Sequence, residues 1–146
     1  MAVPPVPGKD RVSVSEAPID PAALIAAVTD PSAGAVVLFL GTVRDHASGR
    51  AVVTSLEYET YHEVVEQRIA AVVVEARNRH PVVAVAVAHR VGILRVGEVS
   101  VGVAVSSGHR PEAFAAARFL IDELKSTAPI WKKETWEGGA EWVEGG

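Results

Sequence analysis

Arg44, His109, Arg110, Lys125 and Lys132 are the side chains whose types and spacing could do chemistry in this chain. His109 and Arg110 follow the small-residue turn Ser106-Ser107-Gly108 and directly precede Pro111. Proline suits the first helical position, because the N–H it lacks would be unpaired there in any case. Glu112 in the first turn matches the positive end of the helix dipole. A helix N-terminus offers free N–H groups and partial positive charge to an anion such as phosphate. A histidine and an arginine beside it strengthen that chemistry. Arg44-Asp45-His46 is a second charged cluster, at the end of an apolar run. Its bland reading is a solvated turn in which Arg44 pairs with Asp45.

Lys125 and Lys132 are candidates of a different kind. Apolar residues at helical spacing, Phe114, Ala117, Leu120, Ile121 and Leu124, predict a buried stripe on a helix that ends by Thr127, because Pro129 cannot continue it. Lys125 falls near the edge of that stripe, in the last turn. The chain resumes as Ile130-Trp131-Lys132-Lys133-Glu134, a short strand whose alternation puts Ile130 and Lys132 on one face. A half-buried lysine among other cations loses proton affinity and becomes a usable acid, base or nucleophile. The bland alternatives are a lysine that complements a helix C-terminus and an exposed polar turn at His109-Arg110.

The elements that must hold these residues follow from periodicity and turn signals. Arg11–Ser15 alternates as an edge strand, and Pro21–Thr29 is a short helix capped by Asp20. Ala35–Val43 is an almost continuous apolar run, which predicts a strand buried on both faces, with a bulge or close approach at Gly41. Val52–Tyr61 is a strand. His62–Arg79 is a long helix with Val65, Ile69, Val72, Val73 and Ala76 inward, and with Glu66 and Arg77 on its polar surface. Val82–Ala88 is a central strand. Gly92 and Gly97 flank a short excursion, and Val99–Val105 is a further strand. Trp136 and Trp142 close the chain in a final hairpin. The predicted order is β-α-β-β-α-β-β-α-β-β. The fold class is α+β, a mainly antiparallel sheet with helices on one face. The N-terminal 1–10 segment is expected to be a flexible tail, without the basic start and apolar core of a signal peptide. Residues 11–146 form a single domain.

Composition narrows the function. The chain has 146 residues, 49% hydrophobic and 22% charged, with a net charge of −4. That balance suits a globular domain and argues against a general nucleic-acid binder. There is no cysteine, so disulfides, thiolate metal sites and cysteine nucleophiles are excluded. Sulfur, if the reaction uses it, must arrive on another molecule. No apolar run reaches about 18 residues, so no membrane helix is expected and a cytoplasmic protein follows. No close histidine pair, no HExxH pattern and no glycine-rich nucleotide fingerprint is present. The expectation is therefore no metal and no cofactor.

Assembled, these segments resemble the large, catalytic subunits of molybdopterin synthase, the MoaE family. The resemblance is carried by Gly34-Ala-Val-Val with Gly41-Thr-Val-Arg44, by Glu75-Ala-Arg-Asn-Arg and His89-Arg90-Val-Gly, and by Ser-Gly-His109-Arg110. It continues through Leu124-Lys125 and Ala128-Pro129-Ile-Trp131-Lys132-Lys133-Glu134 to Trp142-Val-Glu. It implies an α/β-hammerhead fold, with the excursion after His89 in the β insertion. It also implies a homodimer within a heterotetramer. A ubiquitin-like small sulfur carrier would present its C-terminal Gly-Gly as a thiocarboxylate. Sulfur would pass to cyclic pyranopterin monophosphate, forming the molybdopterin dithiolene of molybdenum cofactor biosynthesis. Lys125 and Lys132 match the family's catalytic lysines. Arg44, His109 and Arg110 match its substrate- and anion-binding residues. Some relatives continue beyond Trp-Val-Glu with a charged tail, where this chain has Gly145-Gly146. The alternative reading is a non-catalytic dimeric module that binds an anionic metabolite.

Overall fold

The computed structural model describes residues 10–45, 53–59, 62–127, 131–136 and 139–144, with the strands at 53–59, 131–136 and 139–144 described by their backbone. The expected tail at Met1–Gly8, the loop at Ala47–Arg50 and the link Ala128–Ile130 lie outside the described residues. The elements are β1 (Arg11–Ser15), α1 (Pro21–Val28), β2 (Ala35–Thr42), β3 (Val53–Glu59), α2 (His62–Arg79) and β4 (Val82–Arg90). They continue with β5 (Gly92–Arg95), β6 (Val99–Ser107), α3 (Arg110–Thr127), β7 (Trp131–Trp136) and β8 (Gly139–Glu144). This is the predicted order with one strand added, β5, where the sequence predicted only a short excursion, and the mixed α+β class holds.

The first sheet has the order β1-β4-β6-β2. β1 runs parallel to β4, and the other pairs are antiparallel. The pleat sorts its side chains by size. Val85, Val87, Val103 and Val105 join the core formed with α2 and α3. Ala84, Ala86, Ala88 and Ala104 face the other way, toward Leu24 and Val28 of α1. β-branched residues fill the space beneath the two long helices, and alanines let the short one sit close. The two long helices thus share one face, whereas α1, expected on the same face, covers the opposite one. Asp20 caps α1 by accepting from the Ala22 N–H at 3.0 Å, and Pro21 takes the first position.

The second sheet, β5-β3-β7-β8, is antiparallel throughout. It joins the first where β4 leads into β5. Gly92 and Gly97 bracket this excursion at φ of 89° and 90°, a region that side-chain-bearing residues rarely adopt.

Four expectations need correction. β2 is not buried on both faces: it is the outer strand of its sheet, and Val36 is 44% exposed. A continuous apolar run reports affinity for apolar surroundings and not position in the sheet. The register does shift at Gly41/Thr42, where a break was expected. Phe114 is 63% exposed rather than part of the α3 stripe, which consists of Ala113, Ala116, Ala117, Leu120 and Leu124. Small residues bring the helix close to the sheet and turn the large ring outward. Glu66 of α2 is 5% exposed and not on the polar surface. Asp10, placed in the tail by sequence, has no exposed surface. It accepts from Arg77 Nε and Nη2 at 2.5 and 2.6 Å and from the Val85 N–H at 3.0 Å.

Candidate active site

The two ends of α3 carry different chemistry. At its start, the Gly34 N–H donates to the Ser107 carbonyl at 3.0 Å, and the Ser107 hydroxyl donates to the Pro81 carbonyl. These bonds anchor the turn from which His109 and Arg110 project, both exposed. The His109 carbonyl accepts from the Ala113 N–H at 3.3 Å, so the helix is entered directly after it. Two buried oxygens beside this turn, Ser106 Oγ and Glu112 Oε2, have no hydrogen-bond partner among the described residues. At the other end, Thr127 Oγ1 and Ser126 Oγ both donate to the Glu123 carbonyl, at 2.6 and 3.2 Å. Both are local side-chain bonds back onto the helix's own backbone. Lys125 lies in this last turn and is exposed. Fifteen residues separate Arg110 from Lys125, about 22 Å of helix at 1.5 Å per residue.

Lys125 belongs to the junction of the two sheets. His89, the second-last residue of β4, lies on the face shared with Val85 and Val87, beneath the long helices. Its Nδ1 lies 2.9 Å from the Arg90 carbonyl. Its pKa is lowered to about 4, chiefly by burial. The Arg90 carbonyl acts in the opposite sense, and the positive charge of Lys125 lowers it further. The charge of Lys125 therefore reaches His89. Arg90 fastens the junction by donating to the Glu16 carbonyl at 3.1 Å and to Glu98 Oε2 at 3.0 Å.

Lys132 enters through the second sheet. It pairs with Tyr58 of β3, and Tyr58 pairs with Gly92 of β5. Two strand spacings, about 10 Å, therefore separate the Lys132 backbone from Gly92 at the junction. Arg44 sits at the same end of the first sheet. The Val43 N–H donates to the Glu98 carbonyl at 2.9 Å, and Val43 in turn accepts from Gly97 at 2.7 Å. Lys125, Lys132 and Arg44 thus gather around the junction, together with His89. His109 and Arg110 do not: the length of α3 separates them from Lys125, and β2 separates them from Arg44.

A groove of about 470 Å³ runs between the outer strand and the helix. Val37, Leu38 and Phe39 of β2 form one wall, and Phe114, Ala117, Arg118, Ile121 and Asp122 of α3 form the other. It ends one helical turn before Lys125. Arg118 and Asp122 pair at 3.6 Å on its rim. Its floor is apolar, and the unpaired edge of β2 presents backbone donors and acceptors.

Sequence reasoning assigned no role to His89 or to this groove. His89 carried the signal used for Arg44, a titratable residue at the end of an apolar strand. The groove carried none, because it arises only where β2 becomes an edge beside α3. A cationic junction fed by an apolar, strand-edged groove suits an extended peptide whose end carries negative charge.

Known proteins resemble this chain over most of its length. The family model for the MoaE protein matches residues 14–127. The molybdopterin synthase catalytic subunit of Oryza sativa subsp. indica is 46% identical over 126 residues, 86% of this chain; the chain spans 65% of that relative's length. The molybdopterin synthase catalytic subunit of Thermoplasma volcanium is 44% identical over 128 residues, covering 88% of this chain and 93% of that protein. The crystal structure of molybdopterin synthase from Staphylococcus aureus superposes with a TM-score of 0.84 at 34% identity, covering 89% of this chain and 94% of that one. With family sequence across most of the domain and the same fold behind it, this chain belongs to the MoaE protein family.

Proposed function

We propose that the chain is the catalytic subunit of a molybdopterin synthase, a sulfurtransferase. It takes sulfur from the thiocarboxylated C-terminus of a small ubiquitin-like carrier and places it on cyclic pyranopterin monophosphate, building the dithiolene of molybdopterin. The observation that carries this reading is the groove that ends one helical turn before Lys125. An extended carrier tail can add as a strand to the free edge of β2. Its side chains rest on Val37, Phe39 and Ile121, and its glycine end, which has no side chains, fits the narrow approach to the junction. Sulfur chemistry in a chain without cysteine requires such delivery. No helix among the described residues is long and apolar enough to cross a membrane, and the cytoplasm is the proposed place of action.

At the junction the lysines perform the chemistry. The thiocarboxylate sulfur attacks a side-chain carbon of the pterin, and the C–S bond forms as a C–O bond at that carbon breaks. That oxygen stays on the phosphate as the cyclic ester opens for one sulfur and leaves as water for the other. Water then releases the carrier as a carboxylate and leaves the sulfur on the pterin. A second carrier supplies the second sulfur. Lys125 and Lys132 neutralise the thiocarboxylate and hold protons at Nζ as charge moves. Arg44, His109 and Arg110 bind the substrate phosphate and stabilise charge when the cyclic ester opens. About 22 Å of helix lies between Arg110 and Lys125 of one chain, too far for one small phosphate ester to bridge. A homodimer therefore completes the site, with His109 and Arg110 of one copy serving the junction of the other.

The test is turnover with the thiocarboxylated carrier and the cyclic pterin. Lys125→Ala and Lys132→Ala should each lower kcat by about 10²-fold or more, in the range of lost general acid–base catalysis, while the carrier still binds. Lys125→Arg keeps the charge but not a titratable amine. An anion-binding module without catalysis would tolerate it, whereas this enzyme should not. Carrier binding without any dithiolene product, from folded wild-type protein, would refute the reading.

A further inference from the structure

The geometry points to Glu98 as the positioning residue for Arg44: its carboxylate closes and anchors the turn whose backbone holds Val43, the residue from which Arg44 projects. The inference rests on the reading above in one respect, that Arg44 binds the substrate phosphate. The contacts that hold Val43 come from the fold alone.

Arg44 stands just past the end of β2. The ladder between β2 and β6 shifts register at Gly41/Thr42 and has its last pair at Thr42 and Val99. Regular sheet pairing therefore stops two residues before Arg44. An exposed residue in such a place frays unless something else holds the backbone. The substitute is the turn Arg95-Val96-Gly97-Glu98 between β5 and β6. The Val43 N–H donates to the Glu98 carbonyl at 2.9 Å, and the Gly97 N–H donates to the Val43 carbonyl at 2.7 Å. Both backbone groups of Val43 are thus held, and its side chain is buried, while Arg44 is exposed. The Val43 carbonyl shares a peptide plane with the Arg44 N–H, so fixing it sets where the Arg44 backbone starts.

Glu98 closes that turn twice. Its N–H donates to the Arg95 carbonyl at 3.0 Å, and its Oε1 accepts from the Arg95 N–H at 2.7 Å. An added Cβ at Gly97 would meet nothing within 4 Å, so glycine serves the φ of 90° there and not a lack of space. The other carboxylate oxygen, Oε2, accepts from Arg90 Nη1 at 3.0 Å, and Arg90 Nε donates to the Glu16 carbonyl at 3.1 Å. Arg90 ends β4, where it pairs with Ser15 of β1. One carboxylate thereby ties the turn to the outer strand pair of the first sheet. The Glu98 side chain is 39% exposed, and an ion pair so open to water adds little to global stability. Its effect is local. Without it the Glu98 carbonyl and the Gly97 N–H remain, but they are no longer fixed where Val43 meets them.

Amide hydrogen exchange and steady-state kinetics test this together. In Glu98→Ala the Val43 amide should exchange about tenfold faster or more, with that of Val103 in β6 unchanged. The kcat/KM for the cyclic pterin should fall about 10-fold, within the cost of a misplaced group, while the KM for the carrier and the melting temperature stay near wild type. Unchanged exchange at Val43 overturns the proposal, because the backbone turn then holds itself. A double variant separates positioning from a general loss of structure. Once Arg44→Ala has removed the guanidinium, Glu98→Ala should lower kcat/KM no further, whereas an independent effect would add. A second drop of the same size overturns the proposal. Glu98→Gln keeps an acceptor for the Arg95 N–H and should recover part of both values. Damage equal to that in Glu98→Ala would mean that the turn-closing bond contributes nothing, and the proposal fails. Should Arg44→Ala leave kcat/KM for the pterin unchanged, the phosphate role of Arg44 fails and the functional claim for Glu98 with it, and the Val43 exchange still decides whether Glu98 holds the backbone.

Discussion

The Asp10 carboxylate, with no exposed surface, holds together three parts of the chain that are far apart in sequence. It accepts a two-pronged bond from Arg77 at the end of α2 and one from the Val85 N–H in the central strand. Breaking a buried pair by removing one partner leaves an uncompensated charge and typically costs about 3–5 kcal/mol. Asp10→Ala should destabilise the fold by about that much in urea unfolding. Arg77→Lys should also destabilise it, since a single ammonium cannot reproduce the fork. His89 gives a prediction in pH. Its folded pKa of about 4 lies below its ordinary value of 6.5, so between these values the unfolded chain binds more protons. Stability should therefore be fully present above about pH 6.5 and decline as pH falls toward 4. The loss should be at most about 3 kcal/mol, from 1.36 kcal/mol per unit. His89→Gln should flatten this part of the curve. Equal slopes in the two proteins would show that His89 is not the titrating group.

Two element-scale features decide whether the site is presented. Gly34 lies so close to the turn before α3 that an added Cβ would come 2.5 Å from the Gly108 carbonyl oxygen. Because the obstacle is backbone, relief means shifting the segment that carries His109 and Arg110. Gly34→Ala should lower stability by about 1–3 kcal/mol, the usual range for overpacking, and should weaken phosphate binding, read by calorimetry. Phe114 is the other feature. Its ring is mostly exposed at the end of the groove away from Lys125. Phe114→Glu should leave the melting temperature nearly unchanged while weakening carrier binding about tenfold, as expected for an exposed aromatic anchor at an interface. Unaltered carrier affinity would remove the groove from the binding path.

The whole molecule is organised by the opposition between the two ends of its first sheet. One end holds Lys125, His89 and Arg44 beside the Lys132 register row, and the other holds His109 and Arg110. If a second copy closes the site, subunits defective at opposite ends should complement one another. Lys125→Ala and Arg110→Ala, each nearly inactive alone, should regain about a quarter of wild-type activity when refolded together in equal amounts. Random pairing in a two-fold dimer leaves one intact site in half of the dimers. No recovery would mean that each chain completes its own site, and the phosphate would then have to be bound by other residues.

Much of this was legible in the sequence, because local rules govern it. Apart from β5, the order of strands and helices followed from apolar periodicity and from Pro and Gly punctuation. Arg44, His109, Arg110, Lys125 and Lys132 stood out through their places at element ends. The absence of cysteine meant that any sulfur in the reaction had to come from another molecule. Relations between distant segments could not be read in this way. Apolar pattern measures how strongly a residue avoids water, and the same pattern serves a central strand and an outer one. So β2 as an edge, and the groove it forms with α3, depended on strand order. Charge pattern along a helix cannot show which carboxylates have buried partners elsewhere, so Asp10 and Glu66 were misplaced. The separation of His109-Arg110 from Lys125 followed from helix length once both ends were fixed. The influence of the Lys125 charge on His89, near the end of a strand some thirty-six positions earlier, was decided only when α3 packed antiparallel to β6 over the same face of the sheet.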